Sequence, residues 1–402
     1  MNRWRGEGGY RELLKVALPL IASTGMWSVQ TVIDRAFLAH YSNADVAGSM
    51  NGGSVHFTVI VLFVATVAYA NTFVAQYIGA GRPGRVGLAV WQAVFFSLAA
   101  GVVLFALARP ASGVFVLFGH EPSLVEAETG YFLILTCGAV FPILGTALST
   151  FFSGRADTVT VMLVTLASVA VNVVLDYALI FGRFGLPELG VRGAAWATVI
   201  AYAVYSLLFL VLMLRPAHRR AFGTLSGCRF DAELMRRMFR YGLPSGVSYI
   251  LEVAVWAATI LLMGTYGVVA SAASAIAFGI NSLAFMPVVG VGLAVSTLVG
   301  RRQGEGRPEL SARTAWSAVH LVVVAMGCFS VLMVLAPGPL IGLFSQNGAG
   351  QDPGAVPRLV RDLLYYVAIY VAFDAIAIVL FAALRGAGDT LFPMYAAIGL
   401  SW

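Results

Sequence analysis

The sequence predicts an all-α polytopic membrane protein: two six-helix bundles related by a pseudo-two-fold axis along the membrane normal. Three observations carry that prediction. The 402-residue chain is 59% hydrophobic and only 11% charged, whereas a soluble domain carries about 25% charged residues. Its apolar residues form long continuous runs instead of alternating segments, which excludes a transmembrane β-barrel. Short motifs recur at one fixed offset, the mark of internal duplication.

A spanning helix needs about 20 mostly apolar residues. Ten full stretches and the start of an eleventh lie near 13–40, 50–78, 86–108, 122–152, 159–181, 191–214, 236–264, 270–299, 310–336, 357–384 and 390–402. The first is too long for the apolar core of a secretory signal, about 7–15 residues. It runs past Asp34 without a small-residue cleavage site, so it is expected to stay as helix 1. Between helices 2 and 3, "GAGRP" (79–83) ends one helix in a tight turn and starts the next with proline. No strand precedes it, so it reads as punctuation and not as a phosphate loop.

The duplication follows from spacing. Pro19 and Pro244 are 225 residues apart, and so are Tyr41 and Tyr266, Trp91 and Trp316, and "GAGRP" and "GEGRP" (304–308). "GRADT" (154–158) and "GAGDT" (386–390) match at 232, the longer loop "SQNGAGQDPGAVPR" absorbing the difference. Six helices per copy is an even number, so both copies enter the membrane from the same side, as in parallel-repeat transporters. Residues 1–220 are read as the N-terminal six-helix lobe and 221–240 as the inter-lobe linker. Residues 241–402 form the C-terminal lobe, with helices 7–10 and the start of helix 11; the second bundle is expected to be truncated after helix 10.

The net charge of +6 is a topology signal. Six arginines (Arg35, Arg109, Arg183, Arg192, Arg358 and Arg361) fall in the odd connections, and the other nineteen of the 25 basic residues fall with the N-terminus and the even ones. Positive charge stays on the cytoplasmic side, which places the N-terminus inside and argues against a nucleic-acid partner. Cys137, Cys228 and Cys328 form no metal spacing or disulfide framework; they are expected to be small buried hydrophobes. No cofactor is expected.

Four of the 19 acids, Asp34, Asp176, Glu252 and Asp374, lie well inside apolar stretches, and the other fifteen are read as loop or helix-end residues. An Asp at the centre of a spanning helix costs roughly 2.5–3.5 kcal/mol, and such residues mark substrate or ion paths. None has an acidic repeat partner: the offsets lead from Glu252 to Trp27, from Asp34 to Thr259 and from Asp374 to Pro142. Polar companions stand four residues before three of them, hence on the same helix face: Gln30 for Asp34, Asn172 for Asp176 and Tyr370 for Asp374. Such an oxygen-rich set suits a hard cation such as Na⁺ or a shared proton; the competing reading is interhelical hydrogen bonding. His56 and His320 also lie in apolar runs, as packing residues or as proton carriers.

Over essentially its whole length the chain resembles the multidrug and toxic compound extrusion (MATE) family. The resemblance rests on "ALPLIAS" and "VIDRAFLAH" in helix 1, "VAQYIGAGR" after helix 2 and "VNVVLDYALIFG" in helix 5. "LGVRGAAWAT" opens helix 6, "YGLPSG" opens helix 7 and "LRGAGDT" follows helix 10. The family implies two six-helix lobes and antiport of drugs against Na⁺ or H⁺, in the cytoplasmic (inner) membrane of a bacterium and as a monomer. Glu252, Asp374 and Tyr370 resemble the C-terminal cation site of its NorM branch, and Asp34 and Asn172 also fit. Asp176 stands where that branch has asparagine and is similar to the proton-coupled DinF-like branch instead. The resemblance thus implies cation binding by Glu252, Asp374, Tyr370, Asp34, Asp176 and Asn172, with Gln30 and Asp34 lining the substrate cavity. Pro19 resembles a family proline where helix 1 bends, and Pro244, its repeat partner, is the matching hinge candidate. Two other readings stay open: a flippase for lipid-linked precursors, which predicts basic cavity residues, and a membrane-embedded enzyme, which needs a nucleophile or metal cluster that the sequence does not show.

Overall fold

A computed structural model describes residues 3–117, 120–344 and 355–401, and among them every regular element is helical. In chain order the helices of the first half are α1 (Tyr10–Tyr41), α2 (Asn43–Ala68), α3 (Ala70–Gly79), α4 (Val86–Ser112), α5 (Val114–Leu117), α6 (Pro122–Cys137), α7 (Val140–Ser153), α8 (Thr158–Ile180) and α9 (Val191–Met213). A short helix, α10 (Pro216–Phe222), leads to the second half: α11 (Ala232–Thr265), α12 (Val268–Gly304), α13 (Pro308–Leu335), α14 (Pro337–Phe344), α15 (Ala355–Ala387) and α16 (Leu391–Ser401). Among the described residues, eight segments are long and apolar enough to cross a bilayer, or nine with the bent pair α6–α7. The loop at 345–354, expected to absorb the change of offset, lies outside the described residues.

The duplication is visible in geometry. Pro19 and Pro244 sit inside unbroken helices, and Ser23 and Ser248, four residues on in each copy, donate to the proline carbonyls at 2.9 Å. A Cβ on Gly79 would collide with the Arg301 carbonyl, and one on Gly304 with the Gln76 carbonyl. Gln76 and Arg301 are themselves 225 apart, so the two contacts are images of one another across the pseudo-axis. Gly154 against the Asn71 carbonyl and Gly386 against the Ser296 carbonyl repeat the pattern. Side chains at these glycines would hold apart backbones that now touch.

The Gly79 and Gly304 contacts draw the lobes together on one face, which also carries the N-terminus, while those of Gly154 and Gly386 each close within one lobe. Glu12 pairs with Arg302 at 2.8 Å and Glu7 with Arg307 at 2.7 Å. Ser317 donates to the Gly8 carbonyl at 2.8 Å, and Asn71 to Thr297 at 2.9 Å. Glu305, in the turn after α12, is also held by Arg302 at 2.8 Å and by Arg301 at 3.1 Å. Partial burial opposes its charge, but the Arg302 and Arg301 bonds and charges outweigh it and hold the carboxyl below its ordinary range. The largest core cluster continues through both halves, from Leu13 and Leu20 in α1 to Val288 and Leu298 in α12 and Val379 in α15.

Two expectations are corrected. The stretch 122–152 is not one straight helix: α6 and α7 meet at 43°. The break falls at Gly138, where a Cβ would stand 2.6 Å from Val199 of α9, so the missing side chain lets α9 press against the bend. The cysteines are not buried: Cys137, Cys228 and Cys328 are all free and exposed. Hydropathy places Cys137 and Cys328 in the apolar layer but does not tell a face turned to lipid from one turned to protein.

Candidate functional site

The intramembrane acids divide into two separate places. Glu252 of α11 and Asp374 of α15 line one cavity of about 890 Å³, with Tyr370 one helical turn before Asp374. Its walls are aromatic, including Trp256, Phe278, Phe285 and Phe381, and α2 and α3 complete it with Phe57, Tyr69 and Asn71. Trp256 meets Phe278 edge to face with ring centroids 4.7 Å apart. A large apolar space with a few charged groups is the usual form of a small-molecule site.

Sequence reasoning missed one member of this cavity. Arg385, in the "LRGAGDT" motif, also lines it. Its guanidinium lies 4.8 Å from the Tyr249 ring centroid, and its charge acts on Glu252. Arg385 Nε is buried and has no hydrogen-bond partner among the described residues. In the sequence this basic residue counts only towards topology; its position in the last turn of the helix, on a span that also carries Asp374, was the available signal.

The second place lies between α1 and α8. Asp34 and Asp176 meet there around the Asn172 amide. With its amide nitrogen turned to donate, Asn172 reaches Asp34 Oδ1 at 3.0 Å and Asp176 Oδ2 at 3.1 Å, and the Gln30 side-chain amide lies 3.2 Å away. Asp176 and Asn172 are fully buried. Arg35, adjacent in sequence and exposed, adds its charge to Asp34 from outside the pair. The six expected cation ligands therefore form two sets, Glu252–Tyr370–Asp374 and Asp34–Asn172–Asp176. Gln30 and Asp34, expected in the substrate cavity, do not line the cavity described above; they belong to the second set.

The remaining candidates resolve into packing. His56 is buried with Nδ1 3.0 Å from the Thr136 hydroxyl. His320 lies near the N-terminal segment, 3.2 Å from the Tyr10 hydroxyl. Glu128, read as a helix-end acid, is instead fully buried in α6, accepting from Asn51 at 2.6 Å and meeting His120 at 2.9 Å. Its partner Asn51 is 77 residues away, so helical spacing gave no sign of the pair. Among the described residues no group of three or more His, Cys, Asp or Glu is placed to hold a metal ion.

Comparison with known proteins agrees with this architecture. The MatE family profile matches twice, at residues 19–178 and 244–401, its two starts separated by the same 225 residues as the repeat. The chain is 32% identical over 392 residues to the probable multidrug resistance protein NorM of Thermotoga maritima, covering 96% of this chain and 81% of that protein. It is 27% identical over 400 residues to the multidrug resistance protein MdtK of Pectobacterium atrosepticum, covering 98% and 85%. Among solved structures, a MOP superfamily transporter from Pyrococcus furiosus superposes with a TM-score of 0.89 at 20% identity, covering 98% of this chain and 86% of that one. A multidrug resistance MATE family transporter in an outward-facing conformation gives 0.89 at 19%, with the same coverage. The structural matches establish the fold.

Proposed function

The chain belongs to the MATE family, and from that premise we propose that it is a multidrug efflux antiporter. It exports organic cations in exchange for Na⁺ or H⁺ by alternating access. The observation that carries this reading is the convergence of Glu252, Asp374 and Tyr370 on one aromatic-walled cavity of about 890 Å³. A lipophilic cation gains there twice, from the carboxylates and from ring faces that attract positive charge. The coupling ion competes for the same carboxylates. When Na⁺ or H⁺ neutralises them, cargo loses its counter-charge and leaves; when the ion departs on the other side, the charge that attracts new cargo returns.

Asp34 and Asp176 hold the second exchangeable charge. A proton taken up by this closed pair is the natural currency of an H⁺ gradient, while the open C-terminal pair accepts either ion. Inward movement of one positive charge releases about 2.3 kcal/mol per 100 mV of membrane potential, enough to bias two lobes between orientations differing by a few kcal/mol. Orientation with the N-terminus cytoplasmic, in an inner membrane and as a monomer, completes the proposal. The acidic character of most ionisable cavity residues favours cationic cargo over the pyrophosphate a precursor flippase must hold, although Arg385 stands among them.

The test is dye efflux from cells carrying Glu252→Gln or Asp374→Asn. Efflux should fall in both; wild-type rates in both would remove the C-terminal cation site.

A further inference from the structure

The face on which the lobes close carries a second cavity, of about 360 Å³, remote in chemistry from the acidic one. It is lined by Arg82 and Arg85 of the first glycine-loop turn, Arg237 of α11, Gln76 and Tyr77 of α3, and Gln303 at the end of α12. No acid lines it. The nearby Glu305 is already taken by Arg301 and Arg302, and Asp389 accepts from the Phe392 amide at 3.1 Å. The three arginines form no carboxylate pair among the described residues. What holds two of them is aromatic: Arg237 lies 5.4 Å from the Phe73 ring centroid and Arg85 6.0 Å from that of Tyr77. Such contacts fix a guanidinium while leaving its N–H donors free.

Arginines collect on this side of a membrane protein for topology alone, and then fan outward into water. Here three of them, from a loop and from a helix 150 residues later, converge on one concavity with two side-chain amides. We propose that this cavity binds a phosphate-bearing anion. Guanidinium forks match phosphate oxygens in pairs, and the cavity has room for one such group. It lies where the span Ala44–Gly79 ends and the span Pro83–Leu117 begins, the depth at which anionic phospholipid headgroups meet a basic protein surface. A lipid headgroup and a soluble phosphate compound share that chemistry.

The consequence follows from which elements meet there. Arg82, Arg85 and Gln76 belong to the first half of the chain, Arg237 and Gln303 to the second. An anion seated between them is bound fully only while the lobes are together on this face. It therefore favours that orientation by its difference in affinity between the two, and the response of transport to membrane composition is set here and not in the cargo cavity.

The test does not depend on cargo or coupling ion. The full chain is purified in vesicle-derived discs of phosphatidylcholine, with or without phosphatidylglycerol, and its thermal midpoint and retained lipid are measured, the latter by native mass spectrometry. Arg82→Gln with Arg237→Gln is compared with Arg215→Gln with Arg220→Gln, which removes the same charge outside the cavity. Phosphatidylglycerol should raise the wild-type midpoint and be retained at least fivefold better by wild type and control than by the cavity variant. If inorganic pyrophosphate in pure phosphatidylcholine reproduces the shift, and the cavity variant abolishes it, the source is a soluble phosphate compound; if only phosphatidylglycerol does, it is a headgroup. Equal loss in both variants, or no response of wild type to either anion, overturns the site. Intact anion binding with no drug efflux would refute the proposed transport and leave this site standing.

Discussion

Two pairs of carboxyls sit in this bundle, and they are built in opposite ways. Asp34 and Asp176 both approach the buried Asn172 amide, in a contact between α1 and α8. Glu252 and Asp374 face a drug-sized space with Tyr370 and an arginine for company. The first pair lies outside the cavity, closed around a buried amide. The second has room and aromatic walls, so its charge is available to whatever enters. The same residue type thus stands in a closed side-chain contact in one half and on an open cavity wall in the other. The difference lies in what packs around it.

That contrast is most exposed to Glu252→Gln combined with Asp374→Asn. Cation efflux from cells should drop at least roughly tenfold, equivalent to about 1.4 kcal/mol of lost stabilisation, with unchanged membrane expression. Next comes Asp176→Asn, which keeps the shape of the N-terminal pair but fixes it without an exchangeable proton. Efflux driven by a pH gradient in proteoliposomes should fall several-fold, while efflux driven by a Na⁺ gradient persists. If both fall equally, the two pairs are not functionally distinct.

Smaller effects sharpen the same comparison through stability. Asn172→Ala leaves the buried carboxyl pair without its amide and should cost about 1–3 kcal/mol, seen as a lower thermal midpoint. No C-terminal substitution at Tyr370 should match it, because Tyr370 lies at an open cavity. The smallest effect belongs to Glu305, outside the membrane. Its carboxyl is held below the ordinary range in the folded protein, so its contribution is fully present above the unfolded pKa, near 4.3. It is lost as pH falls through the lower folded value. Glu305→Gln should flatten the acid limb of a midpoint-versus-pH curve, by an amount on the order of 1 kcal/mol or less.

Much of this was legible in the sequence because it rests on period and composition. The 225-residue offset predicted two copies, and contacts between them repeat at that offset: Gly79 lies against the Arg301 carbonyl and Gly304 against that of Gln76. Asp34, Asp176, Glu252 and Asp374 stood out because charge in an apolar run is costly wherever it falls. Spacing alone did not divide them into two sites, since position along one helix does not say which other helix faces it; only the family resemblance grouped Glu252 with Asp374. Glu128 and Arg385 were missed for a related reason: each lies near a helix end, where charge is ordinary, and only the neighbouring helices turn it inward. The bend at Gly138 was hidden because an apolar stretch reads the same whether straight or broken. The exposed cysteines show the same limit, for hydropathy reports depth in the membrane and not direction.

The central claim is that cargo and coupling ion compete for the Glu252–Asp374 carboxylates. The most direct measurement is binding of a fluorescent organic cation to the purified chain, titrated with Na⁺ at fixed pH and with H⁺ at fixed Na⁺. The account predicts that at least one of the two ions displaces the dye in wild type, and that Glu252→Gln with Asp374→Asn abolishes the displacement together with high-affinity binding. Dye that binds the double variant as tightly as wild type, and is displaced by the same ion as before, would contradict it.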